Sequence, residues 1–112
     1  MKYTLRFRMI NKNTFLDIKS GKKTVETRAA TEKYRDIKDG DLIVLACGKE
    51  RFEKTVKKAK IFKTIKALVK AYPINKIMPN ISTEKELRDA YYSYPNYKEK
   101  IKKFGLIALE LK

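Results

Sequence analysis

Histidine and tryptophan are absent from this chain of 112 residues, and cysteine occurs once, at Cys47. Without histidine, the chain lacks the side chain best suited to act as a general base near neutral pH, which is also the commonest metal ligand. One cysteine can form neither an internal disulfide nor a zinc cluster. Any metal would have to be held by carboxylates and water, so we predict neither a metal site nor a cofactor.

Long hydrophobic runs are also lacking. The longest, Leu42 to Cys47, has the length of a strand, whereas a membrane-spanning helix needs about 20 apolar residues. Residues Met1 to Met9 alternate charged and apolar side chains, which is unlike a signal peptide. We therefore expect no membrane partner. A lone cysteine without an export signal predicts a cytoplasmic location.

Acidic residues are scarce. Thirteen Asp and Glu stand against 28 Lys and Arg, which gives a net charge of +15. This charge favours a polyanionic partner such as nucleic acid, although an AT-rich genome or a hot habitat would also enrich lysine. The length and the 43% hydrophobic content are those of one domain with one modest core, which we assign to residues 1–112.

Hydrophobic spacing predicts five strands and three to four short helices. Apolar and polar residues alternate from Tyr3 to Met9, as in a strand with one buried face. In the strand from Phe52 to Phe62 the apolar positions change phase, which predicts a β-bulge near Lys57–Lys58. The remaining strands are Lys22–Arg28, Leu42–Cys47 and Leu106–Leu111, and the helices follow Asn11 or Asn13, Thr64, Thr83 and Pro95.

These elements do not alternate as they do in a doubly wound sheet. The strands follow one another in hairpin-like succession, and the last returns from far along the chain. The predicted fold class is therefore α+β, with a small mixed or antiparallel β-sheet that can close into a barrel.

The segment Gly21 to Arg28 carries the clearest candidate chemistry. On a strand, Lys22, Thr24, Glu26 and Arg28 share one face, while Lys23 can curl toward the same cleft from the preceding turn. A carboxylate between cations stays ionised, so Glu26 would orient Arg28 or Lys22. An arginine held in this way presents its fork rigidly to a phosphate or a base edge. The alternative is an ordinary salt-bridge ladder, which contributes little to stability.

The pattern Gly-x-Lys-x-x-Glu-x-Arg, formed by Gly21, Lys23, Glu26 and Arg28, resembles the ASCH domain, the activating-signal-cointegrator homology family. The resemblance extends over the chain, through the preceding helix at Phe15–Gly21, the turn Ile37–Asp41 and the closing strand Gly105–Leu111. It implies a PUA-like β-barrel with flanking helices, a cleft lined by the motif and an RNA-related function.

Some relatives in this family are small hydrolases, and the resemblance implies two enzymatic alternatives. One branch removes an acetyl group from an acetylated cytidine nucleoside and has the pattern Gly-x-Lys-Thr-x-Thr-x-Arg. Lys23 and Thr24 match it, but Glu26 replaces its active threonine, so that mechanism does not carry over directly. A desolvated Lys23 could still activate water or the Thr24 hydroxyl. Other relatives are ribonucleases. The catalytic candidates are Lys23, Thr24 and Glu26.

Two further features fit nucleic-acid binding. The stretch from Arg51 to Lys76 contains nine basic residues and one acid, a positive surface suited to a phosphate backbone or simply a solvated face; Lys57 and Lys58 lie within it. Of the clustered tyrosines, Tyr91 and Tyr94 have the spacing of core residues, and Tyr92 should be exposed. We therefore predict binding of RNA or a nucleotide-like ligand through Lys22, Lys23, Thr24, Glu26, Arg28, Lys57 and Lys58.

Overall fold

A computed structural model describes all 112 residues and contains five strands and five α-helices. The strands are β1 (Lys2–Phe7), β2 (Val25–Ala29), β3 (Leu42–Cys47), β4 (Glu50–Phe62) and β5 (Leu106–Leu111). The helices are α1 (Lys12–Ser20), α2 (Ile65–Ala71), α3 (Ile74–Ile77), α4 (Glu84–Tyr92) and α5 (Tyr97–Phe104), with a 3₁₀ turn at Met9–Asn11. The predicted α+β class is confirmed. The helix beyond the expected three to four is α3, which is a single turn of four residues.

The five strands form one mixed sheet in the order β1-β3-β4-β5-β2. Strands β1 and β3 are parallel, and the other three pairs are antiparallel. The sheet curls, but its edge strands β1 and β2 do not pair with each other. The result is a half-barrel, open along the line between β1 and β2.

The predicted β-bulge is confirmed. The register of β4 against β5 shifts between Val56 and Lys58. Before the bulge, Val56 is buried; after it, Ala59 packs against the same hydrophobic cluster. The extra residue therefore keeps one inward face along a strand of thirteen residues.

Two hydrophobic clusters cover the two faces of the sheet. The first contains Leu5, Phe15 and Leu45, and it fills the curled side against α1. The second lies against the helices from α2 to α5, where Leu68 and Leu87 are fully buried. Strand β5 contributes alternate residues to both clusters, which is why its sequence is apolar almost without interruption.

Local signals set the ends of the elements next to the open side. Gly21 ends α1 in the left-handed conformation, with φ of 84°. The next three residues are not strand, because β2 begins only at Val25. Thr64 and Thr83 cap α2 and α4 as expected, each accepting a hydrogen bond from a backbone N–H three residues on. None of the helices is both long and apolar enough to cross a membrane.

Candidate functional site: a cleft at the open side of the half-barrel

A cleft of about 410 Å³ lies where β1 and β2 fail to pair. The end of β1 forms one wall, β2 forms the floor, and the α4–α5 connection forms the other wall. The cleft is lined by Arg6, Phe7, Arg8, Asn11, Thr14, Lys23, Glu26, Thr27, Arg28, Met78, Tyr91, Tyr94, Pro95, Tyr97 and Lys100.

The free edge of β2 explains why charged side chains gather here. The backbone N–H of Leu111 donates to the Thr24 carbonyl. Along an antiparallel strand, every second residue directs its backbone N–H and C=O groups to the neighbouring strand. Starting from Thr24, the residues that direct these groups away from β5 are therefore Val25, Thr27 and Ala29. Side chains, rather than a neighbouring strand, form hydrogen bonds with these backbone groups. The Lys23 ammonium donates to the Val25 carbonyl, the Thr27 N–H donates to the Glu26 carboxylate, and the Ala29 N–H donates to the Tyr97 hydroxyl.

Lys23 is almost completely buried, with 3% of its surface exposed. Its Nζ lies 2.8 Å from the carbonyl oxygen of Val25, also donates to the carbonyl oxygen of Ile77, and is 3.4 Å from Oε1 of Glu26. An ammonium group has three hydrogens, and each has an acceptor here. Burial lowers the pKa of Lys23, an effect that the Glu26 carboxylate opposes.

Glu26 is the carboxylate at the centre of the cleft and is 5% exposed. Its Oε2 accepts a hydrogen bond of 3.0 Å from Nε of Arg28, while Oε1 faces Lys23. Burial alone would raise the pKa of Glu26, but the two cations outweigh it and lower the pKa below its usual value. Glu26 is therefore ionised and holds both cations in place.

Arg28 bridges the two edge strands. Its Nη2 donates to the carbonyl oxygen of Arg6 at 3.3 Å, and Nη1 donates to the Tyr34 hydroxyl at 3.4 Å. The guanidinium also lies over the rings of Phe7 and Tyr34, at 4.9 Å and 5.6 Å from their centroids. Burial would lower the pKa of Arg28, but the Glu26 carboxylate raises it on balance. The guanidinium is therefore fixed and charged, and two of its five N–H groups remain without a protein partner.

Three tyrosines form the aromatic wall. Tyr91 is buried, and its hydroxyl shares a hydrogen bond with the hydroxyl of Thr27. The rings of Tyr94 and Tyr97 meet edge to face, with centroids 5.3 Å apart. Burial raises the pKa of all three phenols, so they stay protonated at neutral pH. The predicted burial of Tyr91 and exposure of Tyr92 are confirmed, whereas Tyr94 is half-buried at the cleft.

The structure brings together three of the predicted site residues, namely Lys23, Glu26 and Arg28. The expectation that Lys22 and Thr24 belong to the strand and share its polar face is wrong, because β2 begins after them, at Val25. Lys22 is exposed in the turn, and Thr24 is half-buried away from the cleft lining. Lys57 and Lys58 are exposed on β4, outside the cleft.

Sequence reasoning missed several lining residues that come from distant segments. In the sequence, Arg6 and Arg8 are only polar positions of the alternating first strand, and Lys100 is only one position in the helix that follows Pro95. The outward-facing positions of Arg6 and Arg8 on the strand were a usable signal, but nothing in the local sequence indicates that the end of β1 lies opposite α5. No group of three or more possible metal ligands is present.

The fold and the cleft define an α+β half-barrel protein with a charged pocket between its edge strands. The family model for the ASCH domain matches residues 9–112, so the chain belongs to the ASCH domain family. It is also similar to two solved structures. The crystal structure of hypothetical protein PH0355 is 28% identical, covers 100% of this chain and 98% of its own, and has a TM-score of 0.86.

The second is the solution NMR structure of protein PF0455 from Pyrococcus furiosus. It is 26% identical, covers 100% of this chain and 96% of its own, and has a TM-score of 0.76. No curated protein matches the chain.

Proposed function

We propose that this protein binds RNA and takes one nucleotide-like unit into the cleft between β1 and β2. The observation that carries the proposal is the composition of the cleft, which combines five cations, four aromatic rings and one carboxylate that is already paired. Its volume of about 410 Å³ falls in the usual range of small-ligand pockets, about 300–1,000 Å³. A nucleotide has the matching chemistry, with a flat base and an anionic phosphate.

The proposed roles follow from the contacts. Arg28 uses its two free N–H groups on the base edge or a phosphate, and Glu26 fixes the orientation of Arg28. Lys23 has all its hydrogens engaged within the protein, so it positions Glu26 rather than the ligand. The ring of Tyr94 is available for stacking on a base.

Outside the cleft, we propose that Lys57 and Lys58 bind the RNA backbone. Affinity for a short single-stranded RNA should fall steeply between about 50 and 200 mM salt, because each phosphate contact releases counterions. Replacing both lysines with alanine should weaken all RNA sequences about equally and reduce the slope of log affinity against log salt by about 1.4. Fluorescence anisotropy at several salt concentrations measures both quantities.

The matched control is Lys19→Ala with Lys85→Ala, which removes the same charge from two exposed lysines elsewhere on the surface. We expect this control to change affinity less than the Lys57 and Lys58 pair. An equal loss from both pairs would mean that only net charge matters. If the parent protein binds no RNA at low salt, the backbone-binding proposal is wrong.

One observation favours hydrolysis as a second candidate function. Lys23 is buried, its pKa is lowered by that burial, and its Nζ lies 3.4 Å from a carboxylate beside the cleft. Such a lysine can serve as a base if it gives up its proton. Thr24 lies outside the cleft, but Thr27 lines it and shares a hydrogen bond with Tyr91, so a hydroxyl is available in the pocket.

Product analysis distinguishes the two functions. If the protein only binds, then modified nucleosides and short RNAs are recovered intact after incubation with either the parent or Lys23→Arg. If it is a hydrolase, the parent forms product, and Lys23→Arg keeps its affinity but loses turnover, because arginine does not release its proton. Lys22→Arg, at the exposed neighbouring position, is the control, and thermal unfolding verifies that each variant is folded.

A further inference from the structure

The residues that line the cleft divide into two chemically distinct zones. Four of them are exposed and form its mouth: Arg6, Arg8, Pro95 and Lys100. The other lining residues are buried or half-buried, and they include all four aromatic rings. Three of the four mouth residues are therefore cations, whereas the interior holds the aromatic rings together with the paired charges of Lys23, Glu26 and Arg28.

The cations of the mouth have no counter-charge in the protein. Neither Arg6, Arg8 nor Lys100 lies within ion-pair distance of a carboxylate. The only acidic residue in the lining, Glu26, is already shared between Lys23 and Arg28. An anion that enters the mouth would therefore meet three positive groups and no free carboxylate.

The mouth cations also come from separate parts of the chain. Arg6 belongs to β1 and Arg8 follows it, while Lys100 lies on α5, more than ninety positions later in the sequence. The fold brings them to one opening, beside the half-buried polar side chains of Asn11 and Thr14. Hydrogen bonds from charged donors to a phosphate are stronger than hydrogen bonds between neutral groups.

The geometry points to a phosphate subsite at this mouth, formed by Arg6, Arg8 and Lys100. This inference rests on the proposed function and makes it more specific: the ligand is a phosphorylated nucleotide unit, with its base inside the cleft and its phosphate at the mouth. A free nucleoside fills the interior but leaves the three cations unmatched. The cleft should therefore prefer nucleotides over the corresponding nucleosides.

Isothermal titration calorimetry with the four nucleosides and their 5′- and 3′-monophosphates tests the inference. For at least one base, we expect the monophosphate to bind at least about tenfold more tightly than its nucleoside, a difference of about 1.4 kcal/mol. Inorganic phosphate in excess should weaken binding of the monophosphate and leave binding of the nucleoside unchanged. The triple variant Arg6→Ala/Arg8→Ala/Lys100→Ala should lose most of the preference for the monophosphate.

A triple variant with the same change in charge, Lys19→Ala/Lys85→Ala/Lys102→Ala, is the control, since these lysines are exposed and lie outside the cleft. It should keep the preference for the monophosphate. Equal affinities for nucleoside and monophosphate, or an equal loss in both triple variants, would overturn the phosphate subsite but leave the proposed function standing. If no nucleoside, nucleotide or RNA binds the parent, the proposed function fails and the subsite fails with it.

Discussion

Replacing Glu26 with glutamine should destabilise the protein by about 3–5 kcal/mol, because it leaves the buried Lys23 ammonium without its counter-charge. The shape of the side chain is nearly preserved, so the loss is electrostatic. The cost has a ceiling. If Lys23 gives up its proton in the folded state, the loss of stability at pH 7 is at most about 5 kcal/mol, which is the cost of deprotonating an ordinary lysine at that pH.

Deprotonation of Lys23 gives the stability of the variant a distinctive pH dependence. A lysine whose pKa is lower in the folded state binds fewer protons there than in the unfolded chain, so stability increases as the pH rises toward the unfolded value of about 10.4. Relative to the parent, Glu26→Gln should therefore regain stability between pH 7 and pH 9. Urea unfolding at several pH values measures the difference.

A second substitution and a surface pair serve as controls. Adding Lys23→Met to Glu26→Gln removes the more deeply buried of the two cations that lose their counter-charge, so the double variant should be more stable than Glu26→Gln alone. Asp89→Asn breaks the exposed ion pair with Lys85, which is 3.1 Å long, and should cost less than about 1 kcal/mol. If Glu26→Gln costs no more than Asp89→Asn, then the buried triad does not stabilise the fold.

The fold was largely predictable because its strands follow alternation and its helices carry caps. The phase change in β4 revealed the bulge, since only an extra residue could keep Val56 and Ala59 facing one core. The ends of the elements near the cleft were less predictable. The segment Lys22–Thr24 looks like strand by composition, yet β2 begins at Val25. Those residues instead form the connection that lets Lys23 fold back onto the free edge.

The candidate site was predictable only where neighbours in sequence act together. Lys23, Glu26 and Arg28 lie within six positions, and opposite charges at this spacing indicate a mutual interaction. Their function in satisfying the unpaired edge of β2 depends on which strands fail to pair, and no local pattern carries that information. Tyr34 is a contact that local sequence patterns do not reveal, because it lies in a polar segment and contacts Arg28 only through the tertiary fold.

The second large effect is expected at Arg28, on affinity. Replacing Arg28 with alanine should weaken the preferred RNA or nucleotide by about 1–3 kcal/mol, the usual value of a bidentate contact. The conservative variant Arg28→Lys should lose nearly as much. Lysine keeps the charge but not the planar fork, which here donates to Glu26, Tyr34 and the carbonyl of Arg6 at once.

Arg88→Lys supplies the matched control for this comparison. Arg88 also pairs with a glutamate, Glu84, at 3.0 Å, but it lies on α4 outside the cleft. At one fixed salt concentration, we expect Arg88→Lys to bind like the parent while both Arg28 variants bind about 5- to 150-fold more weakly. Circular dichroism and thermal unfolding establish that the proteins compared are folded. Parental affinity in Arg28→Lys would show that charge alone is needed at this position, and an equal loss in Arg88→Lys would remove the reason for assigning the ligand to the cleft.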